Sequence, residues 1–213
     1  MSDQKSSSSP EAATPFAIFA SAMEYGIDAA QRSVLFWDVL RQRGNQYREH
    51  IAENAPHVLD YKVELVVDGR KLARPVNYAL VRVVPPDGTD INPKLRPFIV
   101  VDPRAGHGPG IGGFKADSEI GVAFKAGHPC YFVGFLPEPV PGQTIGDIAR
   151  AEAIFIERVI AAHPDASGKP CVIGNCQAGW AVMILAALRP ELFGPIIVAG
   201  SPLSYWAGVH GKN

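Results

Sequence analysis

Val172-Ile173-Gly174-Asn175-Cys176-Gln177-Ala178-Gly179-Trp180 decides how this chain folds. A short apolar run, 171–173, leads into it, and an apolar run of helical length, 177–188, leads out. A residue held at so sharp a strand-to-helix turn needs small neighbours, because the backbone doubles back on itself. Gly174, two before Cys176, meets that need; Ala178, two after, nearly meets it, with Gly179 adjacent. The turn would project the Cys176 thiol at a helix N-terminus, where the dipole and free N–H groups favour negative charge. The backbone N–H of Gln177 would then be one oxyanion donor. The competing reading is a small buried thiol at a junction, since free cysteine is among the most buried residue types.

Upstream and downstream of this turn, strands and helices alternate. Residues 98–101, 130–136, 171–173 and 196–199 are short, continuously apolar strands. Between them lie helices at 118–126, with Asp117 as the expected N-cap and Gly127 as its stop, at 144–162, and at 177–188. The second carries Ile145, Ile148, Ala149, Ala153, Ile156, Val159 and Ile160 on its inner face. Apolar strands separated by helices indicate a parallel sheet covered on both faces. Before them, 61–67 and 76–84 alternate with period two and read as an antiparallel start. That order, with a cysteine at the sharp turn, is expected of an α/β fold of the α/β-hydrolase type, with a mostly parallel sheet. No internal repeat is present.

Residues 102–113, Asp-Pro-Arg-Ala-Gly-His-Gly-Pro-Gly-Ile-Gly-Gly, follow the first of these parallel strands. In such folds this loop supplies the second oxyanion N–H. Arg104, Gly106, His107 and Gly108 are therefore the expected oxyanion and substrate loop, His107 as a wall residue rather than a base. The loop also contains Gly108-x-Gly110-x-x-Gly113, a dinucleotide fingerprint in letter, with Glu138 available as a ribose acid. Its placement fits poorly, since six residues separate it from Val101 and four from Ser118. Arg104, Lys115, Asp117 and Glu119 line a mouth or are simply solvated. His50, His57, His128 and His163 read as loop or surface residues, and His210 has no acid before it in the required order.

Three domains of behaviour follow: a serine-rich disordered tail at 1–13, an amphipathic helical arm at 14–57, and a partial hydrolase-type domain at 58–213. Pro15 opens the arm's helix, Phe19, Met23, Ile27, Ala30, Val34, Trp37 and Leu40 form its stripe, and Gly44-Asn45 is expected to end or bend it. The stripe packs on protein or docks on a hydrophobic surface such as a lipid or polymer granule.

Composition narrows the function classes. Lys and Arg number 20 against 21 Asp and Glu, a net charge of −1, so nothing favours nucleic acid as a partner. No apolar run approaches the roughly 20 residues that span a bilayer. Three cysteines cannot all pair internally, and with no export signal they read as reduced thiols in a cytoplasm. Cys171 and Cys176 have no second Cys or His pair at zinc-ligand spacing, so no metal is expected.

At residues 174–180 and 102–113, with Gly200-Ser201-Pro202-Leu203-Ser204-Tyr205-Trp206-Ala207-Gly208 and the Gln31-Arg32-Ser33-Val34-Leu35-Phe36-Trp37-Asp38 helix, the chain resembles a known group. It is similar to an uncharacterised bacterial family of large α/β-hydrolase-fold proteins labelled poly(3-hydroxyalkanoate) synthetase-like. The resemblance implies acyl transfer through a cysteine nucleophile, Cys176, loaded from a hydroxyacyl-CoA, with no cofactor and acyl-CoA as substrate. Ala178 departs from the Gly-x-Cys-x-Gly-Gly pattern of the true synthases. Family members run far longer, so the sheet is expected to stop after about its sixth strand, short of the catalytic acid and His. A cysteine without its base acylates slowly at best. Hydrolysis of an ester or thioester by the same parts, and a non-catalytic module binding a granule, a partner or a second copy, remain the alternatives.

Overall fold

The computed structural model describes residues 15–54, 56–105, 108–204 and 206–212. The tail expected at 1–13 lies outside them. The chain divides into two units, Met1–Glu53 and Asn54–Asn213.

The described part of the first unit is one helix, α1 (Pro15–Ala52). It runs through Gly44-Asn45 instead of ending there. A single helical glycine costs only about 1 kcal/mol against alanine, and Gln46, Arg48 and Glu49 beyond it resume good helix formers. Asp28–Arg32 at 2.8 Å and Asp38–Arg41 at 2.8 Å are helix-spaced ion pairs on its surface. Phe19, Met23, Val34 and Trp37 of the expected stripe are exposed, and so are Phe16, Tyr25 and Phe36 away from it. No described helix is long and apolar enough to cross a membrane.

The second unit is built on one six-stranded sheet. Its strands are β1 (Val63–Asp68), β2 (Tyr78–Val83), β3 (Phe98–Val101), β4 (Cys130–Phe135), β5 (Cys171–Asn175) and β6 (Ile196–Ala199). Their order is β1-β2-β4-β3-β5-β6. β2 is antiparallel to β1 and to β4, and every other pairing is parallel. This is the α/β-hydrolase-type sheet, and its helices are α2 (Glu119–Lys125), α3 (Ile145–Ala162) and α4 (Gln177–Leu188).

Period-two alternation sends successive strand residues to opposite faces. Ile99, Val101, Tyr131, Val133 and Val172 bury one face together with Phe155, Ile156 and Val159 of α3 and Val182 and Leu185 of α4. Val100, Phe132, Cys130 and Ile173 bury the other with Ile120, Ala123 and Phe124 of α2. The chain leaves β3 over one face to reach β4, then crosses back over the other face to reach β5. The reversal opens a crevice at the carboxyl ends of β3 and β5, where such sheets place their ligands.

The helix starts have local causes. Ser118, not Asp117, caps α2, its hydroxyl accepting the Gly121 N–H at 3.4 Å, while Asp117 faces Lys125 at 3.9 Å. Thr144 and Asp147 form a reciprocal capping box at the start of α3. Asp147 also meets Arg74 at 2.6 Å and Arg150 at 2.9 Å. Of the residues expected on the inner face of α3, Ile145 is exposed, because it lies in the first turn, at the rim of the crevice.

Candidate active site

Cys176 is the N-cap of α4, with φ 47° and ψ −119°, a backbone conformation that a residue with a Cβ rarely adopts. Its N–H donates to the Ala199 carbonyl at 2.8 Å, so the end of β6 fixes the approach to the turn. Its carbonyl accepts the Gly179 N–H at 3.1 Å. The thiol is exposed and has no hydrogen-bond partner among the described residues, whereas Cys130 and Cys171 are buried.

The small residues around the turn divide their duties unexpectedly. A Cβ on Gly174 would lie 2.7 Å from the Gly179 Cα and 2.9 Å from its N, so this contact is backbone on backbone. A Cβ on Gly179 would collide with the Ser201 hydroxyl and come within 2.9 Å of Val198 Cγ1. Gly179, not the residue at 178, therefore makes the close approach, and Ala178 is accommodated with 4% of its surface exposed. No hydrogen bond to another described residue engages the Gln177 N–H, leaving it as a free first-turn donor.

Val101 pairs with Gly174 in the parallel ladder, which brings the 102–113 loop out level with the turn. That loop is organised by Asp102, a buried carboxylate that sequence reasoning left unassigned. It accepts the N–H groups of Arg104 at 2.8 Å, Gly110 at 2.6 Å and Ile111 at 3.0 Å. Burial pushes the Asp102 carboxyl up, and the three donors pull it back. Arg104, itself at φ 58°, thus has its N–H engaged and enters the site through its side chain. Its guanidinium lies over the rings of Tyr78 at 5.5 Å and Phe135 at 5.3 Å. Its Nη1 also reaches Asn77 Oδ1 at 3.5 Å, part of a half-buried network in which Gln143 Nε2 donates to the same oxygen at 2.7 Å. Gly108 is half-buried, and Gly106 and His107 lie outside the described residues.

The glycine fingerprint has a structural explanation. The Gly110 and Ile111 N–H groups point at Asp102, so they already hold an anion belonging to the chain itself. A Cβ on Gly110 would strike Val58 Cγ2 at 2.5 Å, and one on Gly113 would meet Leu59 Cδ2 and Ile120 Cδ1 at 2.6 Å. These glycines let the 58–60 segment run alongside, with Val58 N–H donating to the Pro109 carbonyl and Asp60 N–H to that of Gly113. Glu138 is exposed.

A pocket enclosing about 70 Å³ opens beside the turn, between β2, the start of the 102–113 loop, α3 and α4. Tyr78, Arg104, Gln177 and Trp180 stand on its wall together with Glu152. Glu152, 4% exposed, had a signal in the sequence: it occupies the inner stripe of α3 between Ala149 and Ile156. Burial alone raises its carboxyl to about 7, and burial raises the Tyr78 hydroxyl to about 12. Two of the described histidines are engaged with other groups: His128 Nδ1 meets the Arg96 carbonyl at 2.8 Å, and His163 Nε2 meets the Tyr131 hydroxyl at 2.9 Å. Among the described residues no group of three His, Cys, Asp or Glu side chains gathers to hold a metal.

Comparison with known proteins adds the family. A family described as protein of unknown function (DUF3141) matches residues 28–213. An uncharacterized protein in the ackA 5' region of Rhizobium meliloti is 78% identical over 191 residues, 90% of this chain and 26% of that protein. The chain thus spans about a quarter of the length of that curated relative. Among solved structures, an acetyl xylan esterase from Aspergillus awamori is similar at a TM-score of 0.46 and 18% identity, over 64% of this chain and 51% of that one. A probable hydrolytic enzyme from Pseudomonas aeruginosa PAO1 is similar at a TM-score of 0.47 and 18% identity, over 68% and 43%. On the match over residues 28–213, this chain belongs to the DUF3141 family.

Proposed function

We propose that this chain carries the nucleophile of an acyl-transfer site that works through a thioester on Cys176. The observation that supports it is the exposed Cys176 thiol at φ 47°, held at the head of α4 by Gly174, Gly179 and the Ala199 carbonyl. A structural cysteine has no need of a strained, exposed position, whereas a nucleophile does. The resemblance to poly(3-hydroxyalkanoate) synthetase-like proteins names the donor class, a hydroxyacyl-CoA.

In this reading the Cys176 sulfur, having given up its proton, attacks the thioester carbonyl, and charge developing on the carbonyl oxygen is met by the Gln177 N–H. The carbon–sulfur bond to CoA breaks, CoA leaves as a thiolate and takes up the proton, and the acyl group stays on Cys176. A hydroxyl then attacks that carbonyl, an ester forms, and the Cys176 thiol is regenerated with the hydroxyl's proton.

The test is intact-mass analysis of the 213-residue chain after incubation with a hydroxyacyl-CoA, with Cys176→Ala as control. The expected result is one acyl adduct that maps to Cys176 and is absent from the variant. No adduct at any time point would overturn the proposal. Release of free hydroxy acid from a transient adduct would replace transfer to a hydroxyl with hydrolysis.

A further inference from the structure

Glu152 is a buried carboxyl on the wall of the pocket beside Gln177, and among the described residues nothing gives it a hydrogen bond or an ion pair. Such a group is costly unless something binds it. The polar groups that face it are few. Asp102 is committed to three N–H groups of its own loop. The Arg104 guanidinium is engaged over the rings of Tyr78 and Phe135, and the Tyr78 hydroxyl is neutral at any ordinary pH. Gln177 and Trp180 add an amide and an indole to the wall, and the rest of it is apolar, with Val101, Ile148, Ala178 and Ile184 prominent.

These features choose the ligand. An anionic group would meet two carboxyls, Asp102 and Glu152, and a cationic one would meet the Arg104 guanidinium. A hydroxyl, which donates and accepts, matches a buried carboxylic acid that does the same. The space of about 70 Å³ is under half of the roughly 150 Å³ cavity that admits a benzene. It suits a short chain of about four heavy atoms.

We propose that this pocket receives the acyl part of the substrate and that Glu152 selects for a hydroxyl on it by hydrogen bonding. The proposal rests on the reading of Cys176 as the acylated residue. It makes Glu152 a specificity residue, since it would touch the substrate without taking part in bond making.

Two measurements separate this claim from the one it rests on. The first is the rate of Cys176 acylation by a four-carbon 3-hydroxyacyl-CoA and by its deoxy analogue, in the wild type, Glu152→Gln and Glu152→Leu, each checked for folding by thermal denaturation. The wild type should prefer the hydroxylated thioester about tenfold, the order one net hydrogen bond supplies. Glu152→Leu should erase that preference while still accepting the deoxy substrate, and Glu152→Gln should keep part of it. An unchanged preference in Glu152→Leu would overturn the proposal. The second is equilibrium binding of the methyl ester of the same 3-hydroxy acid to the Cys176→Ala chain, read from the methyl NMR signals of Ile148 and Ile184. Shifts that vanish in Cys176→Ala/Glu152→Leu would uphold the pocket even if no variant is acylated, in which case only the Cys176 reading fails. No shift at any concentration would sink the pocket assignment.

Discussion

The Gly174 Cα and the backbone of Gly179 pass so close that a Cβ on Gly174 would stand 2.7 Å from the Gly179 Cα. That contact closes β5 onto the first turn of α4 and leaves Cys176 between them with nowhere to go but outward. Gly174→Ala is therefore expected to cost about 1–3 kcal/mol, the usual toll of overpacking a site that cannot yield. Gly179→Ala should cost a similar amount, but its worst clash is with the Ser201 side chain. Ser201→Gly should rescue Gly179→Ala in part and Gly174→Ala not at all. Urea denaturation of the three variants and the two double variants decides it, and equal rescue of both would refute this account of the turn.

Cys176 bears the strain of that turn at φ 47°. Replacing it with glycine removes the Cβ that makes the conformation costly, so Cys176→Gly should be more stable than Cys176→Ala by about 1 kcal/mol. Equal midpoints for the two variants would show that the turn is relaxed.

The three thiols should separate in reactivity. Cys130 and Cys171 are buried, and burial pushes both thiols up, so neither is available as thiolate in the native state. A chromogenic disulfide reagent is expected to titrate one thiol in buffer and three in denaturant, with the native signal lost in Cys176→Ala. Two fast thiols in buffer would contradict the packing of β4 or β5.

Asp102→Asn keeps the shape of the side chain and removes the charge that gathers three N–H groups. Hydrogen bonds to a charged acceptor contribute about 1.5–3 kcal/mol each against about 1 for neutral ones. The loop should loosen before the sheet does. Amide exchange at Gly110 and Ile111 should accelerate at least tenfold while Ile99 and Val172 stay protected. Unchanged exchange at those two amides would mean that the Val58 and Asp60 contacts alone hold the loop.

Glu152 gives the protein a pH dependence with a definite sign. Its carboxyl is raised in the folded state from the ordinary 4.5 to about 7, so between those values the folded state binds the extra proton. Its contribution to stability is then complete below about pH 4.5, declines as pH rises through 7, and is gone above it. The span corresponds to about 3 kcal/mol. Glu152→Gln cannot ionise, so the wild type should lose stability relative to this variant between pH 5 and pH 8. A constant difference across that range, measured by urea denaturation, would rule out a neutral Glu152 in the folded protein.

Local regularities are legible in the sequence. β3, β6 and α4 begin and end where apolar runs begin and end; β3 is apolar on both sides because it is buried inside the sheet, whereas β6 stays partly exposed at the sheet's edge. Capping was less legible: Ser118 took the role expected of Asp117, since the backbone turned one residue later. The Gly-rich loop misled in the letter, because glycine spacing does not say which donor the exposed N–H groups will meet.

What the amino-acid order determined by itself is the series of strands and helices and the sharp turn at Cys176, since both follow from side-chain periodicity and the size of immediate neighbours. The tertiary structure decided the rest of the site. Asp102 acquires its donors from residues eight and nine positions on only when the loop closes over β3. Glu152 becomes a buried carboxyl only because β2, the loop after β3, α3 and α4, remote in sequence, converge around it. Desolvation depends on everything that surrounds a group, and no stretch of sequence states what will surround it.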